Sequence, residues 1–501
     1  MDQKVVGSTP TASSNRQRAR TLQLYMPDKP KRITPRLLKG FRDFLPETML
    51  ARRNLIETIR TVYERYGFVP LDTPALEYLE TLTGEYGAQS AREIYDFADR
   101  DGDRVALRYD LTVPLARLIA QYPDLPRPFR RYQVAPVWRF DKPGPGRFRE
   151  FWQFDVDTVG CAHMTADAEI ISAIVDALDA LGVAHFHVRF SNRKMLNALV
   201  HFAEIAPERA PDVFRVLDKL DKAGLENVRL ELGSGRIDRS GDPIPGLGLE
   251  HTAIERIERF LSIAGSTRVE ILAQLAEVFH DTPSTEEGIR ELQEISDLLT
   301  AAGIDDRRAR IDVSVARGLD YYTGPIFEAI LDDLPQFGSV FGGGRYDGLV
   351  QRFLGQQIPA VGTSVGVDRL LAALTHLGRV PAQKTTVAVL VTTMDKNRMN
   401  DYLAITRDLR RAGINTELYL GKPGQIGKQL QYADRQGIPL AVIAGDEEFS
   451  HGEVSVKNLA EGHEKSGEAK DRQTWLVARF GQKTVRGEEL VAFIKSVFSN
   501  P

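Results

Sequence analysis

Between Val137 and Asp157 the chain reads as two alternating strands joined by the turn Lys142-Pro143-Gly144-Pro145-Gly146, a β-hairpin signature. Period-two alternation puts Arg147, Arg149, Phe151, Gln153, Asp155 and Asp157 on one face. A core-facing stripe does not hold two Arg, a Gln and two Asp, because buried charge is costly unless paired. The face is either open to solvent and crossed by surface ion pairs, or it is a polar site. Either way the chain must fold around a sheet with one polar face.

The flanking sequence supplies the other layers. Leu50, Leu55, Ile59, Val62, Tyr63 and Tyr66 recur at helical spacing from Glu47, and Gly67 ends the run. Phe68-Val69-Pro70-Leu71-Asp72-Thr73-Pro74 is extended and punctuated by proline, which confines it to a sheet edge or an interface. Residues 104–110, 132–139, 148–159 and 184–191 read as strands, and 166–182 and 251–262 as helices. This order predicts an α+β fold, an antiparallel sheet flanked by helices. Residues 195–305 are helical in pattern apart from the Gly/Pro-rich stretch Gly233–Gly248, and read as an insertion between two halves of one site. After Thr375 the chain loosens through Pro381 and Lys384. It then runs strand (Thr386–Val391), helix (Arg398–Ala412), strand (Asn415–Tyr419), helix (Ile426–Gln436), strand (Leu440–Ile443). That βαβαβ rhythm predicts a separate α/β domain with parallel strands. The expected division is a tail at 1–38, a main domain at 39–376 and a terminal domain at 385–501.

Composition narrows the function classes. With 501 residues, 42% hydrophobic and 27% charged, the chain is of ordinary globular type and long enough for two or three domains. No stretch approaches the ~18 uncharged apolar residues of a membrane helix, so no membrane partner is expected. Cys161, the single cysteine, excludes an internal disulfide framework and a multi-thiolate metal site, and suits a reducing cytoplasm. The net charge of -4 is uneven: residues 1–40 carry nine basic against two acidic side chains, residues 384–501 seventeen against fifteen, and the body between them is acidic. Bulk charge therefore gives a nucleic-acid partner no support beyond local patches. The tail mixes Ser, Thr, Pro and Arg without apolar period, as a mobile segment or an organelle transit peptide does, and Met26 offers a second plausible start.

Four further segments carry chemistry-bearing side chains. Arg108-Tyr109-Asp110-Leu111-Thr112 ends a strand with an acid and a hydroxyl. Arg317-Gly318-Leu319-Asp320-Tyr321-Tyr322-Thr323-Gly324 sets an Arg, an Asp and two phenols between glycines. Gly342-Gly343-Gly344-Arg345-Tyr346-Asp347-Gly348 is a glycine run that lets backbone approach a ligand. Gly362-Thr363-Ser364-Val365-Gly366-Val367-Asp368-Arg369-Leu370 places an Arg at an expected helix start. Singly, each is equally a turn, a packed tyrosine pair or a surface Arg.

Together they resemble the class II aminoacyl-tRNA synthetases, and within them the histidyl-tRNA synthetases. The Pro74 segment is similar to motif 1, the dimer-interface element; the hairpin from Arg139 to motif 2; and Gly366–Arg369 to motif 3. The histidine-specific signals are the Arg317 and Gly343 segments. Residues from about 385 onward, with Gly427-Lys428-Gln429-Leu430-Gln431-Tyr432-Ala433-Asp434-Arg435-Gln436-Gly437, resemble the anticodon-binding domain of this subgroup.

The resemblance implies ligation of histidine to tRNA(His) through histidyl-adenylate, with ATP and Mg2+, by a cytoplasmic homodimer. By the same resemblance, Arg139 and Arg317 hold the α-phosphate from opposite sides, Arg369 takes the γ-phosphate, Phe151 lies under adenine, and Asp141 and Arg147 complete the ATP site. Asp110, Leu111, Thr112 and Gln153 match positions around the α-amino group, and Asp157, Tyr321 and Tyr322 those around the imidazole. Permanently charged, two-pronged guanidinium suits all three phosphate positions. No resident metal site is expected.

This sequence departs from the family pattern in two places. Asp141 stands where a Glu is usual, and the loop Lys142–Gly146 lacks the Gln common in a loop facing the tRNA acceptor end. The shorter Asp141 implies a weakened or water-bridged adenine contact, and the loop implies atypical reading of the acceptor end: charging of tRNA(His) is expected to depend only weakly on an extra 5′ G, and strong dependence would reject the idea. The competing reading is a histidine-sensing regulatory paralogue. Such paralogues tend to lose the site arginines and the terminal domain, whereas this chain has both.

Overall fold

The computed structural model describes residues 33–84, 92–144, 146–238, 241–315, 321–459 and 481–499. Most of the expected tail lies outside them.

Helix α1 (Pro46–Arg65) forms where the apolar spacing predicts it, and buries Leu55, Ile59, Val62 and Tyr63. Gly67, at φ +80°, turns the chain out of the helix in a conformation that L side chains avoid. Strand β1 (Val69–Pro70) then pairs parallel to β2 (Phe129–Trp138) at the sheet edge, where proline's missing N–H costs no ladder bond.

The main sheet has eight strands. Besides β1 and β2 these are β3 (Glu150–Val159), β4 (Phe186–Asn192), β5 (Ala309–Ile311), β6 (Pro325–Leu331), β7 (Phe341–Arg345) and β8 (Ala360–Gly366), in the spatial order β1-β2-β3-β8-β7-β6-β4-β5. The six central strands are antiparallel throughout, and a parallel strand closes each edge. Alternation divides β3 cleanly. Phe154 and Val156 join the core with α1 and helix α3 (Thr165–Ala180), and the Tyr63 and Phe154 rings meet edge-on at 5.1 Å. Gln153, Asp155 and Asp157 face the other way.

A shorter sheet of residues 76–78, 104–107 and 96–98 leads into helix α2 (Thr112–Gln121). The interposed region runs as helices at 193–202, 210–217, 225–232, 251–261, 268–278 and 286–301, and the Gly/Pro-rich stretch closes into the hairpin Gly235–Ile237/Pro243–Pro245. Its apolar side chains belong to the same core as the sheet, so this region is built into the domain. Helix α4 (Val367–His376) follows β8 directly.

The terminal unit shows the expected rhythm and adds to it. Its strands run in the order 416–418, 389–391, 440–443, 453–458, 482–486; the first three are parallel and the last two antiparallel. A core of Val389, Val391, Tyr402, Leu409, Val442 and Ile494 is its own. Among the described residues no helix is long and apolar enough to cross a membrane.

Candidate active site

The register of the main sheet lays out the floor of a cleft in rows. One row crosses Gln133, Asp155, Ser364, Gly342, Glu328 and Arg189. The next crosses Arg131, Asp157, Gly362, Gly344, Ile326 and Ser191. Glycines thus lie beside the carboxylates. At Gly362 an added Cβ would stand 1.9 Å from Asp157 Oδ1, so only glycine lets that carboxyl lie flat on the sheet. The glycine run of β7 is extended strand, not a turn. Cβ atoms on Gly343 and Gly344 would meet backbone at 2.1 and 2.7 Å, so these two serve strand packing, and Gly342 alone leaves open room.

The cleft above this floor has a volume of about 410 Å³. It brings together Asp110, Thr112, Gln153, Asp157, Tyr321 and Tyr322 with Arg139, Asp141, Arg147, Phe151 and Arg369. Arg317 lies outside the described residues. The Leu111 side chain is fully buried against Ala135 and Val137 beneath Phe151, where it supports the ring, and it is not among those lining the cleft. Arg149 also leaves the predicted face. The loop breaks the alternation before Glu150, and the Arg149 guanidinium stacks on Phe140 at 3.8 Å with Nε donating to the Asp141 carbonyl.

At one end of the cleft the cations are held ready. Arg139 extends from the end of β2, its Nε donates to the Tyr109 carbonyl at 3.0 Å, and its guanidinium lies 4.3 Å from the Tyr109 ring and 5.3 Å from that of Phe151. Arg147 pairs with Asp141 at 3.6 Å. Arg369 starts α4 and donates from Nη1 to the Ser339 carbonyl at 3.0 Å. Its neighbour Asp368 accepts from the Trp152 N–H at 2.7 Å and pairs with Arg42 and Arg52 at 3.0 and 3.4 Å, which fastens the start of α4 to the hairpin.

The other end is acidic and phenolic. Asp110 Oδ1 accepts from the N–H groups of Thr112 and Val113 at the start of α2. Asp157 is buried, pairs with fully buried Arg131 at 2.8 Å and accepts from the Tyr346 hydroxyl. Burial pushes the Asp157 carboxyl up and Arg131 pulls it back. Burial, and then the carboxylates of Asp110, Asp155 and Asp157, push the Tyr322 phenol up, so it stays protonated near neutral pH. The Tyr321 ring packs edge-on against Tyr322 at 5.0 Å and Tyr346 at 6.0 Å.

Four residues of this end escaped the sequence reading as site members: Arg131, Asp155, Tyr346 and Ser364. Alternation already set Asp155 on the right face, and Tyr346 stood inside a quoted motif. Ser364 likewise stood inside a quoted segment, and Arg131 becomes visible only through the register. Arg345 of the same motif is buried and pairs with Asp167 of α3, so it anchors the fold.

A six-stranded antiparallel core with helices on one face, and on the other a cleft with cations at one end and acids at the other, is the fold of the class II aminoacyl-tRNA synthetases. Residues 40–370 match the family model "Histidyl-tRNA synthetase" and residues 386–496 match "Anticodon binding domain". The chain belongs to the histidyl-tRNA synthetase family. It is 46% identical to a histidine--tRNA ligase of Ruegeria sp. (strain TM1040), over 94% of this chain and 96% of that one. It is 42% identical to the histidine--tRNA ligase of Brucella abortus (strain S19), over 94% and 97%. The crystal structure of histidyl-tRNA synthetase from Nostoc sp. PCC 7120 superposes with a TM-score of 0.76 at 33% identity, covering 93% of this chain and all of that one.

Proposed function

We propose that this chain ligates L-histidine to tRNA(His) in two steps, through histidyl-adenylate, consuming MgATP and releasing pyrophosphate and then AMP. The observation that carries the reading is one cleft with Arg139 and Arg369 at one end and Asp157 with Tyr322 at the other. In the first step the histidine carboxylate attacks the α-phosphorus and pyrophosphate leaves. Negative charge grows on the phosphoryl oxygens, and fixed cations already in place stabilise it without reorganising. Arg139 is assigned to the α-phosphate with Arg317 opposite, Arg369 to the γ-phosphate, Phe151 to the adenine, and Asp141 and Arg147 to the rest of the nucleotide. Magnesium is counted with the substrate, as MgATP. In the second step the terminal ribose of the tRNA takes the acyl group and AMP leaves.

Asp157 and Tyr322 present an acceptor and a hydroxyl to an imidazole. An apolar side chain there would give neither group the substrate hydrogen bond that an imidazole offers, and such a mismatch discriminates by ~10⁴ or more without editing. A homodimer through the Pro74 element and a cytoplasmic location complete the proposal. The test is pyrophosphate–ATP exchange driven by each of the standard amino acids, with Arg317→Ala as control. Exchange driven by histidine alone and abolished in the variant is expected; exchange driven by another amino acid, or none with any, rejects the reading.

A further inference from the structure

Asp155 is a carboxylate of the cleft floor to which the family comparison assigns no part. It is 1% exposed, lines the cleft, and stands on the face of β3 between Gln153 and Asp157. Its neighbours across the sheet are Gln133 and Ser364, and Ser364 faces Gly342, whose missing side chain leaves the space beside it open.

Ser364 orients Gln153. Gln153 Nε2 donates to Ser364 Oγ at 2.7 Å, which commits the nitrogen end of that amide. Asp155 lies directly across the β3–β8 ladder from Ser364. Two buried acceptors on this face have no hydrogen-bond partner, Gln153 Oε1 and Asp155 Oδ1. Buried acceptors left unmade are costly, the more so on a carboxylate. Two of them, two residues apart on one strand face, call for a donor with several N–H groups. Gln133 cannot supply it, since its Nε2 donates to Asp72 and Thr73 at 2.9 and 3.0 Å. Arg131 commits its Nη groups to Asp157, Gln133 and the Leu111 carbonyl, and its Nε bonds neither acceptor.

We propose that Asp155, set beside Gln153 on the cleft face of β3, is a further substrate-binding residue that takes the α-ammonium group of the amino acid. This rests on the reading of the cleft as the histidine site. An ammonium carries three donors and a full charge, so it satisfies Gln153 Oε1 and Asp155 Oδ1 together and neutralises a carboxylate that burial otherwise disfavours.

The experiment compares two ligands that differ only at the ammonium. Histidine is followed by its KM in pyrophosphate–ATP exchange, and 3-(imidazol-4-yl)propanoate, which lacks the amino group, by its inhibition constant in the same assay. Asp155→Ala is expected to raise the histidine KM about 10- to 100-fold, the range for a lost charged hydrogen bond, while the inhibition constant of the deamino analogue moves less than about threefold. Ser364→Ala is expected to shift the histidine KM in the same direction by less. If Asp155→Ala fails to fold, the near-isosteric Asp155→Asn gives the same comparison. Equal weakening of both ligands, or of neither, overturns the proposal and leaves the site reading standing. Absence of histidine-dependent exchange in the unaltered protein instead removes the reading beneath it.

Discussion

Replacing Arg139 with alanine is expected to lower kcat for histidine-dependent pyrophosphate–ATP exchange by about 10²–10³-fold, a loss of roughly 3–4 kcal/mol of transition-state stabilisation. The size follows from how the side chain is held. Its Nε is tied to the Tyr109 carbonyl and its plane is packed near the Tyr109 and Phe151 rings, so the guanidinium needs no ordering when charge develops. Arg139→Lys is expected to recover little, because a single ammonium lacks the planar fork and the ring contacts. Loss of the bond to Tyr109 costs stability only about 1 kcal/mol, so the variant should still fold. Steady-state exchange kinetics beside a thermal melt separate the two effects. A kcat within threefold of the parent would remove Arg139 from the phosphoryl step.

Arg131→Met is expected to be the most damaging single change to the fold, destabilising it by about 3–5 kcal/mol near neutral pH. Arg131 is fully buried and faces Asp157 across the β2–β3 pair, with Nη groups also on Gln133 and the Leu111 carbonyl. Methionine fills much of the volume but leaves Asp157 and Asp155 in the interior without that cation. Both carboxyls are already pushed up by burial and drawn down by Arg131. In the variant their folded values rise further above the unfolded ones. The folded state then binds more protons than the unfolded, and stability falls as pH rises. Urea midpoints measured from pH 5 to pH 8 should therefore show a deficit that widens with pH. A constant deficit, or one under about 1 kcal/mol at pH 8, would show that other groups carry the charge.

Much of the architecture was legible because it is local. The α1 stripe, the termination at Gly67, the two long strands of the hairpin and the βαβαβ rhythm each express a period of 3.6 or 2 within a short window. The polar stripe of the hairpin was legible as a choice between wet surface and site, and burial decides it: Asp155 and Asp157 are 1% and 2% exposed. Alternation carried Arg149 too far, since strand geometry does not extend through the loop. Leu111 was drawn in by its neighbours Asp110 and Thr112, yet an apolar side chain at a helix start turns inward. The antiparallel strands at 453–458 and 482–486 added to the terminal unit lay beyond the expected rhythm.

The amino-acid order alone set the elements, the family and the candidate cations and acids, because propensity, periodicity and motif spacing involve residues near one another in the chain. The tertiary structure alone decided which of those groups pair. Tyr346 reaches Asp157 across 189 positions of sequence, and Ser364 meets Gln153 across 211. Strand register makes these contacts, and register comes from hydrophobic packing and ladder bonds summed over the whole sheet, which no short window contains.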